Sequence, residues 1–155
     1  MRSAIAALLL LGFAGAVRGQ DAPRTGLEYR LTVPDGVPFA FDHSEEKYFS
    51  ALPFMTAKDF ARVTVHKSKN PNTPGDWEIE LTHTALGRAK YRAVADADRS
   101  RDYCLVFHSR LYQCLAFPPV QKGLYDKGIV LNDRFNRDQA QALAREMRRE
   151  IAKAR

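Results

Sequence analysis

The sequence YCLVFHSRLYQCLAF at residues 103–117 predicts a β-hairpin in the middle of the chain, and the other predicted elements are arranged around it. Two runs of aliphatic and aromatic residues, 105–107 and 111–117, have the length of strands. The polar dipeptide His108-Ser109 lies between them, where a tight turn is expected. The hairpin carries no visible catalytic group, so we expect it to organise the fold.

Both cysteines of the chain, Cys104 and Cys114, lie in this hairpin. A turn over 108–110 would set the two cysteines opposite each other on one face of the sheet. A turn over 108–109 would place Cys104 opposite Gln113 and turn the cysteines to opposite faces. The sequence leaves both registers open, and a Cys104–Cys114 disulfide is expected from the first of them.

The first 19 residues have the features of a secretory signal peptide. Arg2 supplies a positive charge, an apolar run covers 4–17, and cleavage is predicted after Gly19, with cleavage after Ala16 as the alternative. The run is short for a membrane span, and no cysteine follows it for lipid attachment. We therefore expect a periplasmic or secreted protein with no stable membrane anchor after cleavage, in a compartment where disulfides persist.

Removal of residues 1–19 would leave 136 of the 155 residues, enough for one domain with a sizeable core. The formal net charge would fall from +6 to +4, because the removed segment carries two arginines and no acid. A solvated surface explains this weakly basic balance, and no nucleic-acid partner is expected. The expected organisation is a signal peptide at 1–19, an N-terminal extension with a strand at 20–49, and an α+β domain at 50–155.

Alternation of apolar and polar residues predicts the remaining strands. The strands 61–68 and 77–81 form an antiparallel hairpin with a long exposed tip. A half-buried strand is expected at 27–33, and a short last strand at 129–131.

Three short segments near the N-terminus are expected to interrupt this pattern. The turn residues at 34–36 end the first strand. An extended piece follows at 37–41, confined to a sheet edge by its proline. Residues 47–52 are interpreted as a short helical turn.

Capping residues predict where the helical segments begin. Thr56 and Asp59 form a capping box for a single turn, and Thr84 caps a helix that runs to about Ala97. The predicted buried stripe of that helix, widened by an aromatic and a valine, is Leu86, Ala89, Ala93 and Ala97 with Tyr91 and Val94.

Asn136 and Gln139 predict the start of a closing helix. Its buried stripe is Ala140, Leu143, Ala144, Met147 and Ile151. The basic residues of its last turns suit the negative end of the helix dipole and are Arg145, Arg148, Arg149, Lys153 and Arg155.

The order of these elements resembles the head of the first large periplasmic domain of SecD, a subunit of the bacterial protein-export machinery. The similarity covers roughly residues 50–150. The segments that carry it are the turn and strand at 56–63, the strand and helix start at 77–82 and 87–91, the hairpin at 104–117, and the last strand and helix at 128–131, 135 and 139–143.

The resemblance implies a free-standing copy of the head, a fold that in SecD is thought to contact exported chains as they emerge. SecD itself carries transmembrane helices with ionisable residues for proton-coupled work, and no such helix is expected after the signal peptide here. The family's small turn residues are replaced by His108-Ser109, and the cysteines are not part of the family pattern. A motor function is therefore not implied.

No residue pattern in the sequence predicts an enzyme, a metal site or a cofactor. His108 and Ser109 lack a nucleophile elbow and a third partner, so they are interpreted as turn residues. Glu78 and Glu80 share one face of a strand, as a pair of carboxylates for acid–base work would, but solvated strand residues are the better interpretation. The two cysteines, ten residues apart, fit a hairpin crosslink better than a zinc site.

We predict a single α+β domain with a ferredoxin-like antiparallel sheet and two helices on one of its faces. The first functional hypothesis is a non-enzymatic binding module that contacts a protein or peptide, where an extended segment adds a strand to an exposed sheet edge or enters the groove beside the helices. The alternatives are a small envelope enzyme that uses His108, Ser109, Glu78 and Glu80, and an inhibitor or structural protein that docks on a folded partner.

Overall fold

The computed structural model describes residues 26–39, 47–117 and 128–155. The predicted signal peptide and its cleavage sites lie outside these residues. Within them the strands are β1 (Glu28–Phe39), β2 (Lys47–Phe49), β3 (Met55–Thr56), β4 (Phe60–Lys67), β5 (Trp77–His83), β6 (Asp102–Phe107), β7 (Arg110–Ala116) and β8 (Ile129–Phe135), and the helices are α1 (Ala85–Ala97) and α2 (Arg137–Lys153).

The strands form two antiparallel sheets, and the prediction of an α+β fold is confirmed. The first sheet has the order β2-β1-β6-β7, with β3 paired to the start of β1, and the second has the order β4-β5-β8. This arrangement differs from one continuous ferredoxin-like sheet. The strands divide into two sheets because β1 pairs with β2 on one side and with β6 on the other, and so forms the centre of the first sheet.

One core joins the two sheets and the two helices. Tyr29 and Leu105 face it from the first sheet, Ile79 and Leu131 from the second, and Met147 from α2, all with an exposed fraction of 1% or less. The elements therefore depend on one another for burial, which is the main source of their stability.

The first strand is longer than predicted. Residues 34–36 do not end β1, because Thr32 and Val37 both lie opposite Phe49 and the residues between them bulge out of the pairing. Gly36 is required at this bulge, since a Cβ atom there would collide with the carbonyl oxygen of Phe49. The predicted helical turn at 47–52 is wrong: Lys47–Phe49 is strand β2, which pairs with the second half of β1.

The central hairpin combines features of both predicted registers. Its turn has two residues, since Phe107 pairs with Arg110. The cysteines nevertheless lie opposite each other and form a disulfide with a sulfur–sulfur distance of 2.03 Å. A bulge at Tyr112 adds one residue to β7 and restores the facing register. The expectation that a two-residue turn separates the cysteines was therefore wrong.

The predicted hairpin of β4 and β5 is confirmed. The two strands pair from Phe60 opposite His83 to Lys67 opposite Trp77, and the loop 68–76 connects them. The short strand predicted at 129–131 extends to Phe135 as β8 and pairs with β5.

Helix α1 begins at the predicted cap. Of its predicted buried stripe, Tyr91 is buried and Val94 packs against the core, but the other four residues are exposed: Leu86, Ala89, Ala93 and Ala97. Thr84 accepts a hydrogen bond from the Gly87 amide, yet Leu86 is 60% exposed, whereas Gly87, Tyr91 and Ala95 are buried. The start of α1 packs against Asp59, whose carbonyl oxygen accepts a hydrogen bond from the Thr84 amide at 2.8 Å. The same carbonyl leaves no room for a side chain at position 87, so the face that carries Gly87 turns toward the core.

Helix α2 agrees with the sequence. Asn136 and Gln139 form the predicted reciprocal cap, with distances of 2.9 and 3.0 Å. Four residues of the predicted stripe are buried and Leu143 packs at the edge of the core; the buried four are Ala140, Ala144, Met147 and Ile151.

Candidate functional site

The sheet orders place β2 and β7 at the edges of the first sheet and β4 and β8 at the edges of the second. An edge strand can pair with an extended chain only if its outward N–H and C=O groups are free and the strand continues in one register for several residues. β2 has three residues. β4 is covered by α2, because Arg148 donates to the carbonyl oxygen of Val63 at 2.9 Å and Arg155 donates to that of Ala61 at 2.8 Å.

The edge of β8 is broken by a bulge. Phe135 lies opposite Trp77 and Leu131 lies opposite Ile79, so three residues of β8 face the single residue Glu78. Within this bulge Arg134 has a φ of 53°, in the left-handed region that costs energy for a residue with a side chain. Two extra residues here interrupt the edge of β8 more than the single extra residue at Tyr112 interrupts β7, and a bulge of this size redirects side chains and ends strand pairing.

Strand β7 is the remaining edge, and in the described part of the chain it pairs only with β6. Phe107 and Arg110 flank the two-residue turn and are a hydrogen-bonded pair, so at the next position the N–H and C=O of Leu111 point away from β6. Cys104 and Cys114 have Cα atoms 4.0 Å apart, the close approach of a pair without mutual hydrogen bonds. The backbone groups of Cys114 therefore also point toward the free edge.

A groove of about 400 Å³ lies beside β7, between this strand, the bulge of β8 and helix α2. We call it the β7–α2 groove. Its apolar part comes from Tyr112, Phe135, Ala142 and Leu143, and its polar part from Arg110, Asp133, Arg134, Gln139 and Glu146.

Charged side chains join the hairpin turn to the far wall of the β7–α2 groove. Arg110 lies 3.7 Å from Asp133, and its guanidinium group is 5.1 Å from the centre of the Tyr112 ring. His108 lies 3.9 Å from Glu146. These side chains are half-exposed or more, so the pairs contribute little stability and open without large cost.

Burial raises the pKa of Tyr112. The positive charge of Arg110 opposes this shift, and the negative charges of Glu146 and Asp133 add to it. The Tyr112 hydroxyl is therefore neutral and available as a hydrogen-bond donor. Together the groove offers an apolar floor, charges of both signs and a free strand edge, the features that bind an extended polypeptide.

The structure does not bring the candidate catalytic residues together. His108 and Ser109 are turn residues with φ values of 49° and 63°, and the His108 ring stacks on Phe107 at 3.9 Å. Glu78 and Glu80 lie on β5 in the second sheet. Ser68, the first residue after β4, donates to Glu78 at 2.5 Å, and His66 of β4 lies 3.6 Å from Glu78 and 3.8 Å from Glu80.

A wider cavity of about 630 Å³ lies between the bulge of β1 and the loop that precedes β6. Three of its polar residues pair with one another: Ser100 donates to Asp98 at 2.6 Å, and Arg101 lies 2.8 Å from the other oxygen of Asp98. Local pairing explains this chemistry, so the larger volume does not make the cavity the better candidate.

The sequence did not predict that two polar side chains, those of Asp59 and His83, would be buried, although Asp59 does form the predicted capping box with Thr56. Asp59 is fully buried and binds the Lys90 ammonium at 2.8 and 2.9 Å. His83 is 5% exposed, contacts Tyr29, Phe60 and Tyr91, and has two buried ring nitrogens without hydrogen-bond partners. Burial lowers the pKa of His83 to about 4. The positive charge of Arg88 lowers this pKa further, and the negative charge of Asp59 opposes the shift.

Residues 26–39, 47–117 and 128–155 contain no group of three or more His, Cys, Asp and Glu side chains arranged for a metal ion. The same residues contain no helix of the length and apolarity that a membrane span requires.

Comparison with solved structures finds the export component SecDF. A crystal structure of SecDF in its super-membrane-facing form matches with a TM-score of 0.58 and 16% identity, over 79% of this chain and 18% of the SecDF chain. A structure of SecDF as a membrane component that enhances protein export matches with the same score and identity, over 81% of this chain and 62% of that one. No model of a protein family and no curated protein matches the sequence.

The chain thus resembles a domain of SecDF, and this prediction from the sequence is confirmed. The chain spans less than two thirds of the length of either matching chain. At 16% identity the likeness concerns the fold alone.

Proposed function

We propose that this protein is a non-enzymatic, exported module that binds an extended segment of another protein. The segment adds a strand to the free edge of β7, and its side chains on one face enter the β7–α2 groove. The observation that carries the proposal is the contrast between edges. Two carbonyl groups of β4 are occupied, one by Arg148 of α2 and one by Arg155 just beyond the helix, whereas β7 pairs on one side only among the described residues.

Several features support an exported location. The N-terminal sequence fits a signal peptide cleaved after Gly19, and the Cys104–Cys114 disulfide suits an oxidising compartment such as the periplasm. SecDF is described as a membrane component that enhances protein export, so a partner among exported polypeptides is consistent with the fold.

The groove has a composition suited to unfolded polypeptide of varied sequence. Main-chain hydrogen bonds to Leu111 and Cys114 supply affinity that does not depend on side chains. Tyr112 and Leu143 supply apolar contacts at alternate positions of an added strand, since successive side chains of a strand point to opposite faces.

A proline substitution tests the strand-addition mode. The probe is a fluorescein-labelled peptide of about ten residues, alternating Val and Thr with a Lys at each end, which has the length of an ordinary strand. Leu111→Pro removes the outward N–H and leaves the pairing with β6, so we expect binding to weaken by about fivefold, the equivalent of about 1 kcal/mol for one backbone hydrogen bond. Fluorescence anisotropy measures the change.

The control is Leu111→Ala, which keeps the N–H and shortens the same side chain. A second pair of variants tests the groove: Ala142→Arg fills it, whereas Ala89→Arg adds the same charge on the exposed face of α1. Equal affinities for Leu111→Pro and Leu111→Ala, or for the two arginine variants, would count against the proposal. Thermal unfolding and thiol titration establish that each variant is folded and oxidised.

A further inference from the structure

A third concave site lies on the second sheet, where the last turns of α2 cover the edge of β4. Its volume is about 230 Å³, and its apolar surface includes Val63 and Ile151. Three arginines line it, Arg62 from β4 and Arg148 and Arg155 from α2 and the residue beyond its cap. We call this site the arginine cavity.

Two of these guanidinium groups are held in place by the backbone. Arg148 uses its Nε to bind the carbonyl oxygen of Val63 at 2.9 Å, and Arg155 uses a terminal nitrogen to bind that of Ala61 at 2.8 Å. A guanidinium group has five N–H donors, so each retains donors that these bonds do not use. Side chains already anchored lose less entropy when they bind a ligand.

The charges around the arginine cavity are unbalanced. No acidic residue lines it, and within the described part of the chain Arg62, Arg148 and Arg155 take part in no ion pair. Like charges in one place repel each other unless an anion is shared between them.

The helix dipole accounts for only part of this arrangement. The negative end of α2 favours any cation in its last turn, and Lys153 satisfies that preference while it lies 3.9 Å from Glu150. The dipole does not explain why Arg62 comes to the same cavity from β4, nor why the neighbouring lining is apolar.

We propose that the arginine cavity binds an oxyanion, a carboxylate or phosphate group held by forked hydrogen bonds from Arg148 and Arg155 and by the charge of Arg62. Planar guanidinium groups match both kinds of anion in this way. The site is independent of the β7–α2 groove, because it lies on another sheet and uses other residues.

The test is a titration of the full chain with citrate and, separately, with inorganic phosphate, at constant ionic strength. NMR spectra follow the Nε–H resonances of the arginines. We expect saturable shifts at Arg148 and Arg155 with at least one of the two anions. The anion with the lower dissociation constant identifies the preferred group, and either preference supports the site.

Matched variants separate the site from general attraction to a basic surface. Arg62→Ala leaves both bonds to the β4 backbone intact and is expected to weaken binding about tenfold, whereas Arg149→Ala removes an equal charge on the exposed side of α2 and should leave binding within twofold. Arg148→Lys keeps the charge and loses the fork, so it should also weaken binding.

The proposal is overturned by shifts that do not saturate, by equal losses in Arg62→Ala and Arg149→Ala, or by the absence of any shift at Arg148 and Arg155 with both anions. Failure here leaves strand addition at β7 untouched, since peptide binding is measured on the other sheet.

Discussion

At the scale of single residues, His83 is the group most sensitive to its surroundings. Its ring packs at 5.8 Å from Tyr29, 5.6 Å from Phe60 and 5.6 Å from Tyr91, measured between ring centres, and both ring nitrogens are buried without hydrogen-bond partners. Burial disfavours the protonated ring, and this lowers the pKa from 6.5 to about 4.

This depressed pKa predicts a loss of stability in mild acid. Below pH 6.5 the unfolded chain binds a proton at His83 that the folded chain does not bind, so the free energy of unfolding falls as the pH decreases from 6.5 to about 4. The contribution of His83 to this loss is about 3 kcal/mol over the whole range. Chemical denaturation at a series of pH values measures it.

The variant His83→Phe isolates the effect, because it keeps an aromatic ring and removes the two unpartnered nitrogens. It should be at least as stable as the native chain at pH 7.5 and lose less stability between pH 6.5 and 4. His66→Gln is the comparison, since it removes a partly exposed histidine of β4 and leaves the aromatic rings around His83 in place. The same slope in the native chain and in His83→Phe would show that His83 is protonated in the folded state.

At the scale of elements, the disulfide fixes the register of the hairpin that offers the free edge. Cys104 and Cys114 are ten residues apart, and the Cys104 side chain lies in a small cluster with Phe49 and Val106. We expect loss of the crosslink to lower the free energy of unfolding by about 2 to 3 kcal/mol, from the entropy gained by the unfolded chain.

The comparison is between the native chain and the double variant Cys104→Ala with Cys114→Ala, by chemical denaturation. Thiol titration in denaturant, with and without reductant, shows the state of the cysteines. Two freely titrating thiols in the protein isolated without reductant, or equal stability of the two chains, would contradict this role of the crosslink.

The elements that the sequence predicted correctly are those whose signals are local. The hairpin, the β4–β5 pair and α2 follow from alternation, capping residues and a continuous apolar stripe. The buried face of α1 could not be read in this way, because the contact of Gly87 with Asp59 and the size of Tyr91 outweigh a stripe of alanines.

Bulges were the main source of error. The insertion of Tyr112 decides which face Cys114 occupies, and the three residues of β8 opposite Glu78 shape the β7–α2 groove. A bulge depends on the register of two strands at once, so no single stretch of sequence encodes it. The basic residues at the end of α2 were assigned to the helix dipole because their contacts are also distant in sequence. Arg148 binds Val63, 85 residues away, and Arg155 binds Ala61, 94 residues away.

At the scale of the whole molecule, two sheets with different edges share one core. Arg148 of α2 and Arg155 just beyond the helix close the β4 edge of the second sheet. Among the described residues, the outer edge of β7 in the first sheet is unpaired and lies beside the β7–α2 groove. The structure resembles a domain of SecDF with the α+β class that the sequence predicted. We propose that the open edge of β7 binds an extended polypeptide by strand addition.

Amide hydrogen exchange measured by NMR, with and without the alternating Val and Thr peptide, is the direct test of strand addition at β7. The outward amides of Leu111 and Cys114 should exchange at least about tenfold more slowly when the peptide is bound, because each gains a backbone hydrogen bond. The amides of Ala61 and Val63, on the edge that α2 covers, should keep their rates. Unchanged exchange at Leu111 and Cys114 under saturating peptide, or protection at Ala61 and Val63 instead, would contradict strand addition at β7.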